Sequence, residues 1–163
     1  KELHGWVDSD YAGDVVTRKS TSGVVIMFGT HCVKTSSTVQ EPILLSSGES
    51  EFYAATRGGA TLLGIEALMR DWGVRVVPSL VLKTDSSAAK GFACRRGLGR
   101  NRHVSTRYLW LQDAVAKSRL RIEKVSTHDQ LADVLTKPMS QTWLKNVLPK
   151  LWLFSPLPKP FRD

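Results

Sequence analysis

Four acidic residues, Asp8, Glu51, Asp85 and Asp133, are far apart in the chain, yet each falls where a strand signal ends or a helix signal begins. Positions of that kind lie along one rim of a sheet and can present polar groups to one crevice. Carboxylates gathered there repel one another unless a cation lies between them, and an all-oxygen donor set suits Mg²⁺ or Mn²⁺. Taken singly, each acid reads as well as a helix cap or a surface charge. Taken together, and beside the cationic segment described next, the four favour a divalent metal centre.

The chain has 163 residues and a formal net charge of +8, unevenly distributed. No acid occurs between Asp85 and Asp113, where Lys90, Arg95, Arg96, Arg100, Arg102 and Arg107 follow one another. After Asp133, Lys137, Lys145, Lys150, Lys159 and Arg162 face Asp163 alone. An arginine-rich segment beside a more acidic remainder suits a polyanionic partner, although a solvated basic face has the same composition. No stretch approaches the ~20 consecutive apolar residues of a membrane helix, and the N-terminus has no signal-peptide pattern. The expected setting is a reducing, aqueous compartment. Cys32 and Cys94 are too few for a disulfide framework and read as small buried apolar residues. The chain begins at Lys1 rather than Met, which points to a piece of a longer polypeptide.

The elements that must position the acids follow from hydrophobic period and punctuation. Leu3 to Ser9, Ser22 to Phe28 and His31 to Ser37 read as strands, the last two joined at Gly29-Thr30, which predicts three antiparallel strands. Ser46 followed by Glu49 has the spacing of a capping box, and Phe52, Ala55, Gly59, Leu62, Met69 and Trp72 mark the inner face of a helix over about 48–72. Gly58 and Gly59 inside that helix each cost about 1 kcal/mol against alanine, so a close approach to another element must compensate. Leu80-Val81-Leu82 after Pro78 reads as a buried strand ending at Asp85, and Ser86 opens a short helix to about Ala93. Val104, Tyr108, Leu111 and Val115 predict a second long helix, Arg119 to Val125 a fifth strand, and Gln130 to Lys137 a last helix. The order is that of an α/β domain, a five-stranded mixed sheet with helices on its faces. The stretch 140–163, with Pro149, Pro156, Pro158 and Pro160, reads as an extended basic tail with scattered aromatics.

Several segments carry a family likeness. They are Trp6-Val7-Asp8-Ser9-Asp10-Tyr11-Ala12-Gly13-Asp14, Arg18-Lys19-Ser20-Thr21-Ser22-Gly23, Leu45-Ser46-Ser47-Gly48-Glu49-Ser50-Glu51-Phe52-Tyr53-Ala54-Ala55, Thr84-Asp85-Ser86-Ser87-Ala88 and Gln130-Leu131-Ala132-Asp133-Val134-Leu135-Thr136-Lys137-Pro138. In this order they resemble the ribonuclease H domain of copia-type LTR retrotransposons from about residue 3 to residue 139, so that the expected domain is 1–139. Where that family has a longer basic and aromatic pattern, this chain reads Arg102-His103-Val104-Ser105-Thr106-Arg107-Tyr108-Leu109-Trp110 and keeps His103, Arg107 and Tyr108.

The resemblance implies a ribonuclease H-like fold and hydrolysis of the RNA strand of an RNA/DNA hybrid with two Mg²⁺ ions, Mn²⁺ being able to substitute. It implies that Asp8 is shared by both ions, with Asp133 on one side and Glu51 and Asp85 on the other. Asp10 is the alternative to Asp8, lying on the same strand face two residues on. Ser46, Ser47 and Ser87 would touch the hybrid, although each is also a natural helix-start residue. Arg95, Arg96, Arg100, Arg102 and Arg107 would hold phosphates. His128, five residues ahead of Asp133, is an accessory candidate near the leaving group. The implied partners are the hybrid and the reverse transcriptase of the same polyprotein, with no membrane, in a cytoplasmic retrotransposon particle. The alternatives are a catalytically silent nucleic-acid-binding or tethering module and a DNA strand-transferring enzyme of the same superfold.

Overall fold

The computed structural model describes residues 2–76, 80–99 and 102–151. Arg100, Pro78 and the end of the predicted tail, 152–163, lie outside them. The strands are β1 (Leu3–Asp10), β2 (Thr21–Phe28), β3 (His31–Val39), β4 (Val81–Thr84) and β5 (Arg121–Lys124), in the order β3-β2-β1-β4-β5. The β1–β2 and β2–β3 pairs are antiparallel, and β4 is parallel to both β1 and β5. This is the predicted mixed sheet.

Period-2 alternation on β1 and β2 gives the sheet two buried faces. Leu3 and Val7 of β1 and Val24 and Ile26 of β2 join a core with helix α1 (Ser47–Asp71), helix α2 (Ser87–Cys94) and helix α3 (Trp110–Ala116). Phe52 and Phe92 stack at 4.1 Å between α1 and α2. Val25 and Met27 face the other way, into a smaller core with Leu131, Ala132, Val147 and Leu151.

Helix α1 starts where expected. Ser46 is in an extended conformation and its Oγ accepts the Glu49 N–H, while the Glu49 carboxylate reaches back to the Leu45 N–H. The helix ends one residue before Trp72, whose side chain is exposed, so the expected inner face stops short of it. Gly58 and Gly59 face inward, against Val7 and Leu111 respectively.

Four expectations need correction. The second long helix is broken. Residues Thr106–Leu109 form a 3-10 turn and only Trp110–Ala116 is α-helical, because Ser105 is extended and offers no side-chain cap. The last predicted helix is a 3-10 segment, Leu131–Leu135, preceded by a 3-10 turn over Thr127–Asp129. The tail is not extended over its first part. Ser140 caps helix α4 (Gln141–Val147), and Trp143, Val147 and Leu151 pack into the smaller core, so burial of apolar surface wins over the prolines around them. Finally, neither cysteine is fully buried. Cys32 sits on the edge strand β3 and Cys94 ends α2 facing solvent.

Candidate active site

Asp8 follows Val7 on β1, so its side chain leaves the sheet on the face covered by residues 127–151. Asp85 follows β4, the parallel neighbour of β1, and Asp133 lies inside the 3-10 segment that crosses beneath β1 and β2. One carboxylate oxygen from each of Asp8, Asp85 and Asp133 lies within 4.8 Å of the other two. Asp8 is only 1% exposed and Asp133 4%.

Glu51, in the first turns of α1, borders this group. Burial first, then the charges of Asp8 and Asp85, push its carboxyl up to about 9. Its Oε2 is buried and has no hydrogen-bond partner among the described residues. An orphaned carboxylate oxygen beside three converging carboxylates is the donor set that a hard divalent cation satisfies. The residues present therefore fit the metal ions that the resemblance implies.

Three neighbours complete the site, and none was picked out from the sequence. Thr127 Oγ1 donates to Asp85 Oδ2 at 3.1 Å, and Thr136 Oγ1 donates to Asp8 Oδ2. Lys137 Nζ lies 2.9 Å from Asp133 Oδ1 and 3.2 Å from Asp8 Oδ2. Burial opposes the ammonium charge, but the hydrogen bond to Asp133 and the charges of Asp8 and Asp133 hold the Lys137 pKa at about 12. Asp133 is raised by burial and by Asp8, against the opposing pull of Lys137. Only the Asp133–Lys137 spacing of four was open to view in the sequence.

The remaining candidates divide. The Asp10 carboxylate accepts the Thr21 N–H and closes the β1–β2 turn, which gives it a structural duty outside the cluster. Ser46 is occupied as the α1 cap, Ser47 is exposed in the first turn, and Ser87 Oγ accepts from Lys124 Nζ at 2.7 Å. Ser46, Ser87 and Arg95 line one open groove of about 420 Å³ with Glu49 and Phe92. Arg95 also donates to the Leu98 carbonyl and lies 4.1 Å over the Phe92 ring. Arg96 and Arg102 are exposed, and Arg107 pairs with Glu41 at 2.7 Å. The segment around Arg102 is held down by His103, which pairs with Glu49 at 2.9 Å, and by Tyr108, whose ring lies tilted against that of Tyr53 with the centroids 3.8 Å apart. His128 is exposed in the 3-10 turn beside Thr127.

The raised Glu51 pKa has a measurable result. The folded, metal-free protein keeps a proton on Glu51 that the unfolded chain releases above its ordinary 4.5, so this contribution to stability is whole below that value and is lost as pH rises toward 9. Without metal, Glu51→Gln is expected to melt increasingly above wild type as pH goes from 5 to 9. Parallel melting curves across that range would refute the shift.

A sheet of order β3-β2-β1-β4-β5 with its acids at the rim defines the class, a ribonuclease H fold. Solved structures agree. An N-terminal RNase H domain from Mycobacterium tuberculosis superposes with a TM-score of 0.55 at 12% identity, covering 93% of this chain and 96% of that one. RNase H1 from Halobacterium salinarum gives 0.56 at 15% identity, over 83% of this chain and 95% of that one. The chain is homologous to one part of the retrovirus-related Pol polyproteins of copia-type transposons. It is 33% identical over 151 residues, 91% of its length, to the Pol polyprotein of transposon RE1 from Arabidopsis thaliana, and 30% identical over 135 residues to that of transposon TNT 1-94 from Nicotiana tabacum, 83% of its length. It spans about 10% of the length of each of these relatives. No family model matches the chain. Among the described residues no helix is long and apolar enough to cross a membrane.

Proposed function

We propose that this domain is a divalent-cation-dependent endonuclease that hydrolyses the RNA strand of RNA/DNA hybrids during reverse transcription of a transposon. The observation that carries the reading is the convergence of Asp8, Asp85 and Asp133 beside the unpartnered oxygen of Glu51. Asp8 and Asp133 would hold one Mg²⁺ ion, and Asp8, Glu51 and Asp85 the other. When bound, such ions polarise the scissile phosphate and offset the negative charge that builds on the attacking and leaving oxygens.

The chain's own groups orient these ligands. Thr127 fixes the Asp85 carboxylate and Thr136 that of Asp8, so both are aimed before substrate arrives. The groove lined by Ser46, Ser87 and Arg95 adjoins the N-terminal end of α1, where Glu51 sits, and suits a sugar-phosphate backbone. An RNase H1 of the same fold, from the solved structures, is in complex with an RNA/DNA hybrid. In the polyprotein the hybrid would come from the reverse transcriptase of the same chain, inside a cytoplasmic particle. Residues 140–151, packed on the smaller core, would then belong to the domain rather than to a tail.

The deciding experiment is cleavage of an end-labelled hybrid against duplex DNA of the same sequence, with Mg²⁺ and with EDTA. Cleavage confined to the RNA strand and abolished by EDTA is expected. Hybrid affinity without cleavage would assign a tethering module instead, and cutting of duplex DNA a strand-transferring enzyme. The arginines are tested separately. Each phosphate contact adds close to one unit to the slope of log affinity against log salt. Replacing Arg95 and Arg96 by alanine is expected to weaken hybrid binding at every sequence and to flatten that slope by about one to two units. Affinity and slope equal to wild type would reduce both side chains to solubilising charges.

A further inference from the structure

The cation lodged among the acids is the chain's own. Lys137 Nζ lies 2.9 Å from Asp133 Oδ1, and 3.3 Å and 3.2 Å from Asp8 Oδ1 and Oδ2. The backbone aims it there. The N–H groups of Thr136 and Lys137 both bond the Asp133 carbonyl, at 3.1 Å and 3.0 Å, so the chain turns back at the end of the 3-10 segment and brings the lysine under the carboxylate. The two acids are almost fully buried, whereas the Lys137 side chain is 41% exposed. Its ammonium can therefore leave for water along its own stem, while the acids cannot.

We propose that Lys137 is a tethered counter-ion that occupies the Asp8–Asp133 side of the centre until a divalent cation displaces it. The inference rests on the metal reading above and concerns what that metal must overcome. Two buried carboxylates this close need a positive charge beside them, and without metal Lys137 supplies it. A divalent cation coordinating the same oxygens would stand within a few ångströms of the ammonium, and two cations at that distance repel. Binding of one is thus coupled to release of the other, and by linkage the lysine weakens the metal as much as the metal weakens the lysine's hold. The lysine would keep the metal-free domain folded and raise the metal concentration at which the centre fills.

The test reads metal binding rather than turnover. Mn²⁺ is titrated calorimetrically into the 163-residue chain and into Lys137→Met at equal ionic strength. The variant is expected to bind on the order of 5- to 100-fold more tightly, the range of ordinary coupling between two sites. It is also expected to melt below wild type without metal, the gap closing at saturating Mg²⁺. Equal or weaker Mn²⁺ affinity in the variant would overturn the proposal even if its metal-free melting fell, since a purely structural lysine lowers melting without tightening the metal. Should the variant not fold, the wild-type protein decides. The Lys137 side-chain NMR resonances should move during a Mg²⁺ titration and saturate with the binding isotherm, and resonances that stay in place overturn the inference. A wild-type chain that binds no Mn²⁺ removes the metal reading and this inference together, whereas a wild-type chain that binds it as tightly as the variant removes this inference alone.

Discussion

Asp8→Asn is expected to abolish hybrid cleavage while leaving the fold intact. On the proposed reading Asp8 would serve both ions, and its asparagine counterpart keeps the volume but loses the charge and one acceptor oxygen. Loss of a shared ligand should cost on the order of 10³-fold or more in turnover, because no other side chain can offer the oxygen it supplied. The fold should tolerate the change. One of the carboxylates that crowd Asp85, Asp133 and Glu51 is removed, Lys137 keeps Asp133 as a partner, and the remaining amide oxygen can still accept from Thr136. Thermal melting without metal should therefore equal or exceed that of wild type. A folded variant with more than a few per cent of wild-type activity would remove Asp8 from the centre. Asp10→Asn belongs in the same experiment, since its carboxylate serves the Thr21 N–H and its loss should loosen the turn rather than stop the chemistry.

The sheet and the acid set were legible because their signals are local. Strand period, the Gly29-Thr30 turn and the Ser46 cap each lie within a few residues, and Asp8, Glu51 and Asp85 sit toward element ends that such signals mark, whereas Asp133 falls inside a 3-10 segment. What escaped the sequence depends on the third dimension. Leu131–Leu135 has the apolar spacing of an α-helix and of a 3-10 segment alike, and only packing beneath β2 selects the tighter form. Trp143, Val147 and Leu151 stand four apart in a proline-rich stretch, where the breakers mask the period until a sheet face is there to receive it. Thr136 and Lys137 meet Asp8 across about 128 residues of chain, a pairing that no local spacing reveals. Asp10 and Asp8 share a strand face, and what separates them is the Thr21 N–H on the neighbouring strand.

Gly58 shows how the fold sets the site's dimensions, and its replacement should have the largest effect on stability. A Cβ built there would meet Val7 Cγ1 at 2.2 Å and Leu82 Cδ1 at 3.2 Å. Val7 is fully buried and β-branched, so it has neither space nor a second comfortable rotamer to retreat into. The backbone of α1 must then move away from β1. Alanine would gain about 1 kcal/mol of helix propensity, but overpacking of this kind typically costs 1–3 kcal/mol and occasionally more. The net for Gly58→Ala is expected to be a loss of up to about 2 kcal/mol, and cleavage should fall further than stability. Glu51 rides on α1 and Asp8 on β1 one residue from Val7, so separating helix from strand separates the two carboxylates. Gly64 is the control. It lies on the exposed side of the same helix with nothing among the described residues within 4 Å of an added Cβ, and Gly64→Ala is expected to gain up to about 1 kcal/mol with unchanged activity. Urea unfolding of both variants measures the contrast. If Gly58→Ala proved as stable as Gly64→Ala, α1 would not be seated against Val7 as closely as the metal centre requires.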